Sequence, residues 1–233
     1  MNANPGAPDR AASKQATGKK PARARGREAT GAPQLDMWSK VAIDSSPDLD
    51  PTAPLVRHPS CRRVLEATRH VRTFFPELDG RTLKVGLTRA AAGFASREEM
   101  WIWFNPYRLS LHTIAHELVH LLQNLEQVPR GEKSADLFAL ARHRTLVDDL
   151  PCYLQTPRSL RQQWTAQRPQ IESLLHRTAR DAAAKRGEGH RNYLRWFEVE
   201  LATRWEEQVA AQREPRGPLP TVQQAIRLLS GSL

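Results

Sequence analysis

The chain contains His116-Glu117-Leu118-Val119-His120, two histidines four positions apart with a glutamate beside the first. On a helix, residues four apart project from one face with a rise of about 6 Å, so the two imidazoles can converge on one cation. Zinc suits neutral imidazole, and a hydrolytic site needs only three protein ligands, leaving a fourth position for water. Glu117 is badly placed to bind the same ion but well placed to reach that water. There it would serve as general base and then hand the proton to a leaving amine. The expectation is a mononuclear zinc site with His116 and His120 as ligands and Glu117 as the catalytic base. Five letters recur by chance, but the setting adds weight. Leu111, Ile114, Ala115, Leu118, Val119, Leu121 and Leu122 make the surrounding helix apolar over a wide arc. Two histidines and a glutamate have no structural reason to be there, and burying them unpaired costs several kcal/mol.

The third ligand must come from another element. Downstream, Glu132 and Asp136 are again four apart, in Gly131-Glu132-Lys133-Ser134-Ala135-Asp136-Leu137-Phe138-Ala139-Leu140. Both carboxylates can therefore face the first helix. One can ligate the metal while the other accepts the outer N–H of a ligating imidazole, the contact that sets its tautomer. Glu132 is the choice for the metal and Asp136 for the outer contact. The rival assignment for each is a helix-capping glutamate and a surface aspartate.

HELVH followed on a second helix by E-x-x-A-D-x-F-A-L resembles the gluzincin clan of zinc metallopeptidases, and within it the minimal ImmA/IrrE-type domains, whose second helix bears a similar E-x-x-A-N-x-F-A pattern. Asp136 stands where that family often has Asn, and the gap of eleven residues from His120 to Glu132 is short for the clan. The resemblance covers 60–144, about 85 of the 233 residues. It implies an α+β, zincin-like minimal core: a helix, a small sheet, the HExxH helix and the glutamate helix. SprT-like proteases, which use a histidine as third ligand, are the second family to compare. On that pattern His143 would serve, so the third ligand stays open between Glu132, Asp136 and His143.

Other side chains attract attention for their chemistry. Tyr153 follows the second helix and could donate to an oxyanion, as tyrosines do in zinc peptidases; ordinary packing is the competing role. Cys152 has no neighbouring base in sequence and is expected to be buried rather than reactive. His112 lies one turn before His116, about 12 Å along the helix from His120, too far to share the ion. Trp101 and Trp103 are expected either to line a cleft or to cover the far face of the sheet. In metallopeptidases of this general build, an edge strand near the zinc pairs with extended peptide, and the strand at 100–105 is the candidate.

These side chains need elements to position them. Ser60 can cap a helix whose Val64, Thr68, Val71 and Phe75 share a face, with Pro76 and Asp79-Gly80 stopping it. Residues 81–87 alternate as a half-buried strand. After the Gly/Ala stretch 90–93, Met100, Ile102 and Phe104 oppose Trp101 and Trp103 in another. Helices are predicted over 110–124 and 132–144. The stretch 45–59 reads as linker or irregular wrapping. Beyond 157 the pattern is helical: 160–185 with an interruption at Pro169, 192–212 with Leu194, Phe197, Leu201 and Trp205 on one stripe, and a short helix at 222–229. Arginines and tryptophans there (Arg191, Arg195, Trp196, Arg204, Trp205) interleave with Glu198, Glu200, Glu206 and Glu207. That favours packing against the core over a phosphate-binding face.

Composition sets the frame. Residues 1–35 hold seven basic and two acidic side chains, a net +5 of the chain's +10, and almost no large apolar residue. Such a segment cannot bury enough surface to offset ordering. The expected organisation is a basic tail and linker at 1–45, the catalytic core at 46–157, and a C-terminal helical extension at 158–233 packed on that core. Two cysteines without CxxC spacing argue against a disulfide framework or a cysteine zinc site. No stretch approaches the ~18 apolar residues of a membrane span, and no secretory signal is evident, so a cytoplasmic location without membrane partners is expected. The expected function is zinc-dependent peptide hydrolysis with a protein or peptide as substrate, and non-specific nucleic-acid contact through the basic tail. The alternative is a non-catalytic or regulatory zinc-binding module tethered by that tail to nucleic acid or a protein partner.

Overall fold

A computed structural model describes residues 48–213. The tail and the helix expected at 222–229 lie outside the described residues. Within them the fold is α+β, a four-stranded mixed sheet with seven α-helices. The strands are β1 (Leu49–Pro51), β2 (Leu83–Leu87), β3 (Gly93–Ala95) and β4 (Trp101–Phe104), in spatial order β1-β2-β4-β3. β1, β2 and β4 run parallel, with Val85 opposite Ile102 and Leu87 opposite Phe104, while β3 joins β4 antiparallel. Alternation in β4 behaves as read: Ile102 and Phe104 are fully buried, and Trp101 and Trp103 cover the other face. There Lys84 Nζ sits 4.1 Å over the Trp101 ring.

Two departures from the sequence reading concern the strands. The stretch 45–59 is not wholly irregular, because it supplies β1 and the short helix α1 (Ala53–Val56). β1 is too short for periodicity to reveal. It exists through pairing with β2 and through Arg72, whose buried guanidinium donates to the carbonyls of Asp48, Leu78 and Arg81 at 2.5–2.8 Å. Its Pro51 is tolerated because the strand is an edge. The other edge, beside the helix that carries His116 and His120, is β3, not the strand at 100–105. β4 is internal, hydrogen-bonded on both sides, and β3 arises from the Gly/Ala stretch that carried no strand signal.

Helix α2 (Cys61–Arg72) follows Ser60 and buries Val64, Leu65, Thr68 and Val71. α3 (Leu111–Asn124) and α4 (Glu132–Arg142) come next, then α5 (Arg158–Gln163), α6 (Arg168–Gly187) and α7 (Tyr193–Arg213). Pro169 stands in the first turn of α6, where its missing N–H costs nothing, so it starts the helix rather than interrupting one. Two apolar cores result. The first joins the sheet, α2 and α3; the second joins α5, α6 and α7, with Phe197, Leu201 and Trp205 almost fully buried. α4 belongs to both, with Ala135 and Ala139 in the first and Leu137 and Leu140 in the second. Its small residues let it lie against α3, as their type suggested. Of the C-terminal arginines expected to pack, Arg204 does so, whereas Arg191 and Arg195 are exposed. Arg204 pairs with Asp181 and Glu200, and Trp205 Nε1 donates to Ser159 Oγ. No described helix is long and apolar enough to cross a membrane.

Candidate metal centre

The N-terminus of α3 is anchored twice. Ser110 Oγ accepts from Thr113 N at 3.0 Å, and the Asp148 carboxylate, from the loop beyond α4, accepts from Leu111 N and His112 N at 2.8 Å each. These contacts satisfy amides that a helix start leaves orphaned, and they place an anion at the positive end of its dipole. Burial still pushes the Asp148 carboxyl above its ordinary pKa, against the two backbone donors. α4 begins after Gly131, whose φ of +109° lies where only glycine is unstrained, and the first helical residue is Glu132.

With both helices set, three donor atoms converge. His116 Nε2 and His120 Nε2 are 3.0 Å apart, and each lies 3.1 Å from Glu132 Oε2. The state of these atoms follows from what holds the other side of each ring. Gln123 is buried and donates through Nε2 to the Pro129 and Gly131 carbonyls, which leaves its Oε1 to accept. His120 Nδ1, 2.9 Å from that oxygen, must therefore donate. His116 Nδ1 lies 2.7 Å from Asp136 Oδ1. Asp136 is buried, yet the histidines facing it hold its carboxyl far below the ordinary range, so it is an anion and His116 Nδ1 also donates. Each neutral imidazole then presents a bare Nε2 lone pair to the other and to a carboxylate oxygen.

Three lone-pair atoms at this separation repel one another unless a cation stands among them. The donor set fits zinc. Bonds of about 2 Å in a tetrahedron hold ligand atoms about 3.3 Å apart, and an ion over one face of this triangle reaches all three. A proton is the alternative occupant. Burial pulls the His116 pKa down, but the Asp136 hydrogen bond and charge more than offset it, and the pKa stands above its usual value. Among the described residues, His116, His120 and Glu132 form the one group of three side chains arranged to hold a metal ion. His143 is not part of it. It ends α4, about 16 Å along the helix from Glu132, and stacks on Phe74 with ring centroids 4.5 Å apart.

Glu117 lies beside the triangle, 6% exposed. Burial pushes its carboxyl pKa up to about 7; His116 opposes this, while Glu132 and Asp136 add to it. Edge strand β3 presses on it: a Cβ added at Gly93 would come within 2.6 Å of Glu117 Oε1. Tyr153 covers the other side, its half-exposed ring stacked on His116 with centroids 5.6 Å apart and 20° between planes. Its backbone N–H donates to Asp136 Oδ2 at 2.7 Å, so Asp136 serves both the His116 ring and the Tyr153 loop. Burial, with Glu132 and Asp136 nearby, raises the phenol pKa, which keeps the hydroxyl protonated and able to donate. His116, Glu117, His120, Glu132 and Tyr153 together line a cleft of about 560 Å³.

Other residues are placed differently. His112 is buried behind the centre, its Nε2 3.4 Å from Asp136 Oδ1 but not in hydrogen-bond geometry. Cys152, expected to be buried, is exposed, beside the Tyr153 whose ring stacks on His116. Its thiol pKa is raised by partial burial and the nearby Asp136, so the exposure does not make it a nucleophile. Trp101 and Trp103 do not line the cleft. Sequence reasoning missed Gln123, Gly93 and Asp148. Gln123 had a readable signal, standing three residues after His120 on the same helix face; the other two act through contacts distant in sequence.

No family model, curated protein or solved structure matches the chain.

Proposed function

We propose that the chain is a zinc-dependent metallopeptidase with a zincin-like core of the type its HELVH and glutamate-helix motifs resemble. The observation that carries this reading is the pairing of two things in one cleft. Three lone-pair donors stand 3.0–3.1 Å apart with their tautomers set from behind, and a buried glutamate that is not one of them adjoins the triangle. A purely structural metal site has no use for Glu117, whose burial alone costs free energy.

Zinc bound there supplies Lewis acidity, which acidifies water and polarises a carbonyl. The chain's own residues do the rest. Glu117 takes a proton from the attacking water and returns it to the leaving amine, and a carboxyl titrating near neutrality suits both directions. Asp136 and Gln123 hold the imidazoles so that both Nε2 atoms face the ion. The Tyr153 hydroxyl donates to the oxygen that gains charge in the tetrahedral transition state. Gly93 leaves room for the Glu117 carboxylate against the backbone of β3, where an extended peptide can add to the open sheet edge.

The test is metal content by mass spectrometry together with peptide-library cleavage, on wild type, His116→Ala and Glu117→Gln. The expected result is about one zinc per chain in wild type and E117Q, none in H116A, and cleavage reduced at least about 100-fold in E117Q. Zinc in wild type with no cleavage of any peptide would favour a non-catalytic or regulatory binding module. Wild type that holds no zinc after reconstitution would retire both readings.

A further inference from the structure

The cleft around the triangle carries charges that the proposed chemistry does not use. Of its acidic lining residues, Glu132 belongs to the metal group and Glu117 stands as the base. The remaining charged side chains on its walls are Arg97 and Arg130, both exposed. Neither has an ion-pair partner among the described residues, and of the unpaired arginines these two line this cleft. Two unpaired guanidiniums at the rim of a concave cleft bias its potential towards positive.

Their position along the cleft can be measured against two elements. Gly93 of β3 lies on Glu117, and Ser96, just past the end of β3, accepts through its carbonyl from Asn124 Nδ2 at 2.7 Å. From Glu117 to Asn124 the helix rises about 10 Å, and from Gly93 to Ser96 a strand advances by the same amount. β3 therefore runs alongside α3, and Arg97 stands at the far end of that shared track. Arg130 comes from the loop that Gln123 clamps through the Pro129 and Gly131 carbonyls, so it reaches the same end of the cleft from the opposite wall. An extended chain laid along β3 covers 10 Å in about three residues.

We propose that Arg97 and Arg130 form an acidic-side-chain subsite, so that the cleft selects peptides with Asp or Glu about three residues from the bond lying over Glu117. This rests on the peptidase reading for the bond but not for the binding. Guanidinium–carboxylate pairing at an exposed rim contributes modestly to affinity and more to selection among peptides, and salt weakens it.

The test uses the full chain, zinc-reconstituted E117Q, and fluorescein-labelled nonapeptides that carry Glu, Gln or Lys at one scanned position, read by anisotropy. Glu at the favoured position is expected to bind about fivefold tighter than Gln, with Lys weaker still and the difference shrinking at 0.5 M salt. Added R97E/R130E reverses the order in favour of Lys, which a merely structural role would not do. The basic residues 1–35 also attract acidic peptides, but that attraction is indifferent to position and survives the reversal. Equal binding of the three peptides, or a Glu preference unchanged in R97E/R130E, overturns the subsite. Cleavage of the same peptides by wild type separates the two ideas. Cleavage without arginine-dependent selection leaves the peptidase and removes the subsite. Arginine-dependent selection without cleavage does the opposite.

Discussion

At the residue scale, the candidate metal group depends as much on the atoms behind the imidazoles as on those that would face an ion. Gln123 illustrates this. Its amide is fixed by two backbone carbonyls, and only that orientation presents an acceptor to His120 Nδ1. Gln123→Ala is expected to weaken zinc binding about 10- to 100-fold, measured by competition with a chromogenic chelator, because His120 can then swing or change tautomer. An unchanged affinity would mean that the His120 ring is held by something else. Gly93 makes the complementary point about Glu117. A methyl group at 93 would stand 2.6 Å from Oε1 and 2.8 Å from Cγ, so the carboxylate must move. Gly93→Ala should keep its zinc and lose about 100-fold in turnover, since a displacement of about 1 Å at the reacting group is costly. If turnover in G93A matched wild type, Glu117 would not be working from the position seen here.

At the element scale, α3 and α4 had to meet with the right turn of each facing the other. Hydrophobic periodicity predicted both helices within two residues, and the four-residue spacings placed His116 with His120 and Glu132 with Asp136 on common faces. Strands β1 and β3 were not legible, because three residues each leave no period to read and their stability comes from partners across the sheet. Asp148 was equally invisible: a loop aspartate 37 residues beyond Leu111 caps α3 only once the chain has folded back. Asp148→Ala removes a charged acceptor shared by two helix amides. It should destabilise the fold by about 1–3 kcal/mol in urea denaturation, with Asp148→Asn retaining part of that loss. An unchanged midpoint for D148A would show Ser110 to be a sufficient cap.

At the scale of the whole described region, α4 is the shared wall of two cores, and the C-terminal helices bear directly on the site. Tyr193 and Ser134 exchange a buried hydroxyl contact of 2.7 Å, and Lys133 pairs with Glu198, so α7 grips the turn of α4 that begins with Glu132. Trp205 sits in the second core, 1% exposed, with its indole N–H bonded to Ser159. Trp205→Ala should cost about 3–5 kcal/mol. The loss should appear as one lowered cooperative transition when far-UV circular dichroism and zinc release are followed together. Helix loss at a lower denaturant concentration than zinc release would mean that the two cores fold independently.

What the sequence by itself determined was local: helix faces, the four-residue spacings that pair His116 with His120 and Glu132 with Asp136, and the polar side chains that stand out on an apolar helix. These follow from a 3.6-residue repeat and from the cost of burying polar groups without purpose, and both are properties of short stretches of chain. Tertiary structure decided the rest. It selected Glu132 over His143 by placing His143 at the opposite end of α4, against Phe74. It put β3 rather than β4 at the open edge, added Gln123 to the expected Asp136 as a holder of an imidazole tautomer, and left two arginines unpaired on the cleft wall. Each of these depends on which atoms of sequence-distant segments end up within about 3 Å of one another, and residue type and spacing carry no record of that distance.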